Sequence, residues 1–204
     1  PSWGRHLART RPAIGNHEYH TTKASGYLGY FGTAAAPAGL PYYSYNLGAW
    51  HIVVLDSERY TWPQATWLKA DLAANPRRCT LAYWHRPYFT TGQIAAEVKL
   101  RNLFTILYKA GADVVISGHN HIYERFRPQN PDGVADSDRG IRYFVVGTGG
   151  APLLPFGVKT PNLQVRQNKA HGVLKLTLYE DRYTWKFIPV AGKTFTDSGG
   201  SKCH

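Results

Sequence analysis

Several residue types are missing or scarce in this 204-residue sequence. It contains no methionine and starts at Pro1. Because an intact translation product begins with methionine, we expect this chain to be a processed or truncated piece of a longer one. The sequence also has no apolar run near the roughly 20 residues that cross a bilayer, so no membrane-spanning helix is predicted.

Acidic residues are few, since 13 Asp and Glu face 24 Lys and Arg and leave a formal net charge of +11. Positive charge raises the local concentration of anions, such as phosphate compounds and nucleic acids. The basic residues are scattered, without the tight run and interleaved aromatics of a nucleic-acid surface. The charge is therefore equally compatible with a role in solubility alone.

Only two cysteines are present, Cys79 and Cys203. Their separation excludes a Cys-x-x-Cys zinc or redox motif. In an oxidising compartment they can pair and pin the C-terminal tail to the body of the protein. They can equally be two unrelated thiols, and the sequence leaves both alternatives open.

The composition that remains is that of a folded protein, with 43% hydrophobic and 14% aromatic residues. We predict one domain over residues 1–204, with residues 1–41 mostly loop and everything from Asp197 onward a tail. Apolar runs predict strands at 43–46, 50–56, 80–85, 113–117, 141–147, 172–178 and 182–188, and the segment 123–127 follows the strand at 113–117. Helical patterns cover 63–74 and 95–109. Strands that alternate with helices, followed by a run of strands, indicate a layered α/β sandwich.

Polar residues stand out in three segments, each in a loop or where a predicted strand ends. Ligands of α/β sheets bind outside the carboxyl ends of the strands. Imidazole nitrogen and amide oxygen are ordinary ligands of zinc, iron or manganese. The segments are Gly15-Asn16-His17-Glu18, the single His85, and Gly118-His119-Asn120-His121.

Each segment alone has an ordinary structural explanation, because a lone histidine is more often a structural or surface residue than a ligand. The His-x-His after Gly118 is harder to explain so, since it directly follows an apolar strand. The occurrence of all three segments, in this order, favours a metal site over coincidence.

The order of these segments resembles the later signature blocks of calcineurin-like metallophosphoesterases. The extension Tyr123-Glu124-Arg125 and the stretch from Tyr143 to Gly150 resemble the purple acid phosphatase-like branch. The similarity covers nearly the whole chain. It implies a metallophosphoesterase fold, a β-sandwich flanked by helices, here lacking its first strands at the N-terminus.

The resemblance also implies roles for individual residues. Asn16, His85 and His119 would hold one metal ion or bridge toward it, and His121 would hold the other. His17 would lie over the substrate phosphate as the catalytic residue. The implied reaction is hydrolysis of a phosphate ester by metal-hydroxide attack, with two ions of iron, zinc or manganese. Glu18 and Arg125 are expected to support the site or the fold.

Two departures from the family pattern limit what carries over. An Asp-containing block and a Gly-Asp-x-x-Tyr block normally precede Gly-Asn-His-Glu, yet the fourteen residues before Gly15 include no Asp or Glu. The loop after His85 also lacks the phosphate-contacting histidines of the plant enzymes. We therefore expect this chain alone to bind at most one metal, weakly, and to turn over little substrate.

Three functions fit these observations: a phosphatase with its N-terminal part absent from this chain, a non-catalytic metal- or anion-binding fragment, and a nucleic-acid phosphodiesterase. The Tyr-Glu-Arg extension favours the phosphatase. The partners expected are a phosphate-ester substrate and either the missing N-terminal segment or another copy of the chain, but neither a membrane nor a nucleic acid. An extracellular location is predicted because relatives of this branch are commonly secreted.

Overall fold

The computed structural model describes residues 3–204, so Pro1 and Ser2 lie outside it. The strands are β1 (Tyr43–Leu47), β2 (Trp50–Val54), β3 (Cys79–Tyr83), β4 (Val114–Ser117), β5 (Tyr123–Phe126), β6 (Arg142–Val146), β7 (Leu163–Gln167), β8 (Gly172–Leu178), β9 (Arg182–Pro189) and β10 (Ser198–Lys202). The α-helices are α1 (Ser25–Phe31), α2 (Trp62–Ala74) and α3 (Arg101–Lys109). Short 3-10 helices cover Trp3–Arg9, Glu18–His20, Thr22–Ala24, Gly32–Ala34 and Val98–Leu100.

The strands form two sheets. The larger sheet has the order β1-β2-β3-β4-β6-β5-β7, and β2, β3, β4 and β6 run parallel to one another. The smaller sheet is antiparallel, with the order β10-β9-β8. The hairpin of β8 and β9 turns at Glu180 and Asp181, as the sequence predicts. The predicted α/β sandwich is confirmed.

Apolar side chains of the large sheet alternate between two separate cores, as side chains of successive strand residues must. One face of the sheet packs against α2 and α3, where Val53, Val115 and Val145 meet Leu68 and Phe104. The other face packs against the small sheet, and that second core contains the side chains Trp50, Ile52, Phe144, Trp185 and Phe187. The two-sided burial explains why these strands are continuously apolar in sequence.

The helices begin where local chemistry favours a helix start. Thr61 precedes α2 in an extended conformation, and its hydroxyl accepts a hydrogen bond from Gln64 N at 3.4 Å. Pro63 occupies the first turn, where its missing N–H has no cost. The helix predicted at 95–109 corresponds to α3, which starts later than predicted. Residues 98–100 form a 3-10 turn before α3 begins at Arg101.

The expectation of a C-terminal tail from Asp197 onward is wrong. β10 pairs with β9, although its sequence Ser-Gly-Gly-Ser-Lys has no strand-like pattern. Its position follows from the buried carboxylate of Asp197, which accepts hydrogen bonds from Arg125 Nε, Tyr123 Oη and Trp185 Nε1. The sequence analysis also leaves out β7 and places the short helices before Pro41 in a loop.

A disulfide joins Cys79 to Cys203 across 124 residues of sequence, so the paired alternative holds. Cys79 is the first residue of β3 and Cys203 follows β10, so the bond ties the C-terminus to the central sheet. None of the helices in residues 3–204 is long and apolar enough to span a membrane. That the first strands of a longer domain lie upstream stays a prediction.

Because the disulfide closes a long loop, its removal should destabilise the fold. We expect the double variant Cys79→Ala/Cys203→Ala to lose about 2–5 kcal/mol of unfolding free energy, from the greater freedom of the unfolded chain. Urea unfolding followed by tryptophan fluorescence measures the loss. Dithiothreitol should lower the midpoint of the parent chain and leave that of the double variant unchanged. Equal midpoints for both proteins would contradict the role assigned to this bond.

Candidate metal centre

The candidate ligands lie at one edge of the large sheet because the strands before them are parallel. β3 and β4 pair in parallel, with Tyr83 opposite Ile116, so the chain leaves both strands at the same edge. His85 follows the first of these strands and His119 follows the second. Side chains 34 residues apart in sequence therefore meet at the carboxyl end of the sheet, where ligands of open α/β sheets bind.

Three of the five predicted site residues converge on one point. His85 Nε2 lies 2.8 Å from Asn16 Oδ1 and 3.0 Å from His119 Nδ1. One ring nitrogen carries at most one hydrogen, so it cannot satisfy both neighbours by donation. Donor atoms bound to one ion at 2.0–2.1 Å lie about 3 Å apart. The donor set Asn16, His85 and His119 fits a shared metal ion.

Tight backbone packing holds these side chains together. The N–H of Gly15 donates to Glu18 Oε2 at 2.8 Å, which closes the loop that carries Asn16. A Cβ at Gly15 would lie 2.8 Å from the His85 ring, so only glycine allows the approach. On the other side, the N–H of Gly118 donates to the carbonyl of His85 at 2.9 Å.

Burial keeps the two converging imidazoles uncharged at neutral pH. It lowers the pKa of His85 to about 4, and a protonated His119 and the Arg86 guanidinium act in the same direction. Burial likewise lowers the pKa of His119 to about 4, with Arg86 as the next cause. Neutral imidazole is the form that binds a metal, because its ring nitrogen offers a free lone pair.

His121 and His17 are placed differently from the other three. His121 Nδ1 donates to the carbonyl of Pro152 at 2.9 Å, which leaves Nε2 with its lone pair. Within residues 3–204 no hydrogen bond joins His121 to the three converging residues. His17 is exposed, and its ring lies 5.0 Å from that of His20. In its protonated form His17 acts to lower the pKa of His85 and His119.

Arg86, which the sequence analysis did not assign, contacts the site and is held in turn by Glu58. Arg86 Nη1 donates to His119 Nε2 at 3.0 Å, and Arg86 Nε donates to Glu58 Oε2 at 2.8 Å. Burial raises the pKa of the Glu58 carboxyl, whereas its bond to Arg86 acts the other way. One indication for Arg86 is present in the sequence, because Arg86 directly follows His85. No motif near Glu58 indicated that it would lie at the carboxyl edge of the large sheet.

The two supporting residues that the sequence analysis names lie far apart. Glu18 bonds to Gly15 beside the ligands. Arg125 forms an ion pair with Asp197 at 2.7 Å, and its guanidinium lies 5.1 Å from the centre of the Trp185 ring. Arg125 thus joins the two sheets rather than supporting the candidate ligands.

A second group of ligand-type atoms lies at the amino ends of β3 and β4. Cys79, Cys203 and Asp113 bring their ligand atoms within 4.8 Å of one another. The two sulfurs are joined to each other, so neither is a thiolate that could bind an ion. The Asp113 carboxylate instead accepts from the backbone N–H groups of Thr80 and His204.

Comparisons with known proteins agree with this fold. The fold resembles that of a purple acid phosphatase from yellow lupin seeds, with a TM-score of 0.70 and 20% identity over 95% of this chain and 38% of that one. In sequence the chain is 33% identical to purple acid phosphatase 21 of Arabidopsis thaliana over 71% of its length, or 37% of that protein. An acid phosphatase of Aspergillus ficuum is 27% identical over 72% of the chain and 29% of that protein.

The fold and the relatives therefore define the class of this chain as the metallophosphoesterase family. Residues 3–123 match the family described as "Calcineurin-like phosphoesterase", and the chain belongs to that family. The resemblance to the purple acid phosphatase branch is confirmed as well. The chain spans only 29–37% of the length of the two curated relatives given above. The roles of individual site residues stay predictions.

The packing at Gly15 gives a direct test of this arrangement. We expect Gly15→Ala to push the His85 ring out of place, because the new Cβ would overlap it, and to cost about 1–3 kcal/mol of unfolding free energy. NMR of the imidazole resonances and thermal unfolding measure the two effects. Gly29→Ala is the matched control, since a Cβ at that helical position meets nothing within 4 Å. An unchanged His85 resonance in Gly15→Ala would contradict the packing.

Proposed function

We propose that this chain is part of a metal-dependent phosphoric ester hydrolase, a phosphatase of the purple acid phosphatase type. The observation that carries the proposal is the convergence of Asn16 Oδ1 and His119 Nδ1 on His85 Nε2, within 2.8 and 3.0 Å. Membership of the calcineurin-like phosphoesterase family supports it. The substrate is an ester of phosphoric acid, with no further preference assigned.

In this proposal Asn16, His85 and His119 hold one metal ion, and His121 offers Nε2 to a second. Bound metal ions supply positive charge to the phosphate oxygens and lower the pKa of a water molecule. Pro152 fixes the ring of His121 through its carbonyl, and burial keeps His85 and His119 unprotonated. Both rings are thus neutral before an ion arrives, and His119 offers Nδ1 to an ion once Arg86 no longer donates to its Nε2.

The exposed side chain of His17 is the candidate for contact with the substrate. It follows Asn16 directly, so it lies beside the converging ligands and still faces solvent. As a protonated imidazole it would donate a hydrogen bond to a phosphate oxygen or a proton to the leaving alcohol. The net charge of +11 favours the approach of an anionic ester.

Every ligand in this set is neutral, which limits what the chain does by itself. Two dications about 3.5–4 Å apart repel each other, and a bridging carboxylate normally offsets that repulsion. The carboxylates beside the site are engaged, because Glu18 accepts from Gly15 and Glu58 accepts from Arg86. We therefore propose that the isolated chain binds at most one ion, weakly, and hydrolyses little substrate.

An N-terminal segment with an aspartate block, or a second copy of this chain, is the proposed partner that completes the site. The proposed location is extracellular. Disulfides persist in oxidising compartments, and Cys79 and Cys203 are paired here.

Metal titration of the 204-residue chain tests the proposal. With Co²⁺ followed by its visible absorption, we expect no more than one ion per chain, and slow hydrolysis of p-nitrophenyl phosphate. His85→Ala and Asn16→Ala should each weaken binding at least 10-fold, because each removes an atom from the converging set.

His6→Ala is the control for these variants, since His6 is exposed and lies outside the ligand set. It should bind Co²⁺ as the parent chain does. Two tightly bound ions with rapid turnover would contradict the one-ion proposal. Unchanged binding in His85→Ala would contradict the metal site itself.

A further inference from the structure

A chain of hydrogen bonds runs from buried Glu124 through half-buried Thr90 to buried Asn120, the residue between His119 and His121. Glu124 Oε2 accepts from the Thr90 hydroxyl at 2.6 Å. Thr90 Oγ1 in turn accepts from Asn120 Nδ2 at 3.0 Å. Glu124 and Asn120 are both 0% exposed, whereas Thr90 between them is half-buried.

Each atom of this chain has one hydrogen-bonding role that agrees with all the others. Glu124 Oε1 also accepts from the backbone N–H and the hydroxyl of Thr91, and in its ionised form Glu124 acts only as an acceptor. The single hydrogen of the Thr90 hydroxyl then points to Glu124, and its oxygen accepts from Asn120 Nδ2 and from the N–H of Gly92. This fixes which end of the Asn120 amide faces Thr90.

The rest of the Asn120 side chain confirms that orientation. Its Nδ2 donates a second bond to the carbonyl of Ile94 at 2.7 Å, and its Oδ1 accepts from the N–H of Ile94 at 3.0 Å. Surrounding backbone fits closely around the residue. A Cβ at Gly92 would lie 2.4 Å from Asn120 Cγ, and one at Gly147 would lie 1.9 Å from Asn120 O.

The backbone of Asn120 closes the turn of each neighbouring histidine. Its N–H donates to Gly118 O at 2.8 Å across His119, and its carbonyl accepts from Ile122 N at 2.7 Å across His121. His119 has a φ of 63°, which is strained in a residue with a side chain. Such a conformation persists only where the surroundings enforce it.

We propose that Glu124, Thr90 and Asn120 form a positioning relay that holds His119 and His121 in ligand geometry. The relay rests on the metal site proposed above and adds three residues to which the sequence analysis gave no function in metal binding. None of the three contacts the converging donor atoms. Their action is through the two turns that the Asn120 backbone closes.

The substitution Glu124→Gln tests the relay because it puts an amide in place of the carboxylate. No choice of hydrogen-bond directions then satisfies all of the neighbouring groups. The new amide N–H would face the Thr90 hydroxyl and turn the hydrogen of Thr90 toward Asn120. The Asn120 amide would then have to flip, which would set its NH₂ against the N–H of Ile94. Whichever way the two amides are turned, two N–H or O–H donors would face each other at Thr90, Thr91 or Ile94.

Thr90→Val and Thr90→Ser form a matched pair for the same relay. Valine keeps the volume of threonine but has no hydroxyl, so it interrupts the chain between Glu124 and Asn120. Serine keeps the hydroxyl and loses only a methyl group. Glu180→Gln is the control for the carboxyl-to-amide change, because Glu180 is exposed in the turn between β8 and β9.

Two measurements on the 204-residue chain separate positioning from stability. In hydrogen exchange, Thr90→Val and Glu124→Gln should exchange at least 10-fold faster over residues 117–123, with residues 50–54 of β2 as the internal reference. In Co²⁺ titration both should bind roughly 10–100-fold more weakly, as is usual when a partner of a ligand is lost. Thr90→Ser should recover most of both properties, and Glu180→Gln should match the parent chain.

Exchange at 117–123 that is equal in Thr90→Val and the parent chain would overturn the relay. So would a faster exchange that spreads equally to residues 50–54, because it would show a general loss of stability. A parent chain that binds no Co²⁺ would count against the proposed metal site. The exchange comparison decides the relay in that case, since it does not need the ion.

Discussion

The parallel pairing of β3 and β4 is the constraint on which the rest of the candidate site depends. It brings the residues after Tyr83 and after Ser117 to one edge of the sheet, which sets His85 against His119. An antiparallel pair would have placed those two loops at opposite edges. The third converging residue, Asn16, reaches the same point only because Gly15 allows the chain to pass against the His85 ring.

The candidate ligands that meet at this point are neutral side chains, and a charged side chain hydrogen-bonds to one of them from outside. Burial disfavours the protonated imidazolium of His85 and His119, so both rings are neutral at neutral pH. The charges lie one step further out, where Arg86 donates to His119 and is itself held by Glu58. Glu124 is linked to the loop that carries His119 by hydrogen bonds through Thr90 and Asn120. The candidate site therefore has converging neutral donors and no carboxylate among them.

The C-terminal strands show how one buried carboxylate can organise a segment of weak propensity. Ser198–Lys202 contains little that favours a strand, yet it completes the small sheet. Asp197 anchors its start to Arg125 and Tyr123, and the disulfide to Cys79 anchors its end. The small sheet then covers one face of the large sheet and buries Trp185 and Phe187 against it.

The sequence alone determined the class of fold, most strands of the large sheet and the three segments that carry the candidate ligands, because apolar runs and strand ends are local patterns. It could not reveal β10, Arg86 on His119, or the relay from Glu124, because each depends on contacts between residues remote in the chain. The pairing of Cys79 with Cys203 was equally open until the fold brought the ends of β3 and β10 together. Short-range pattern decides which elements form, whereas packing and hydrogen-bond satisfaction over long range decide which side chains meet.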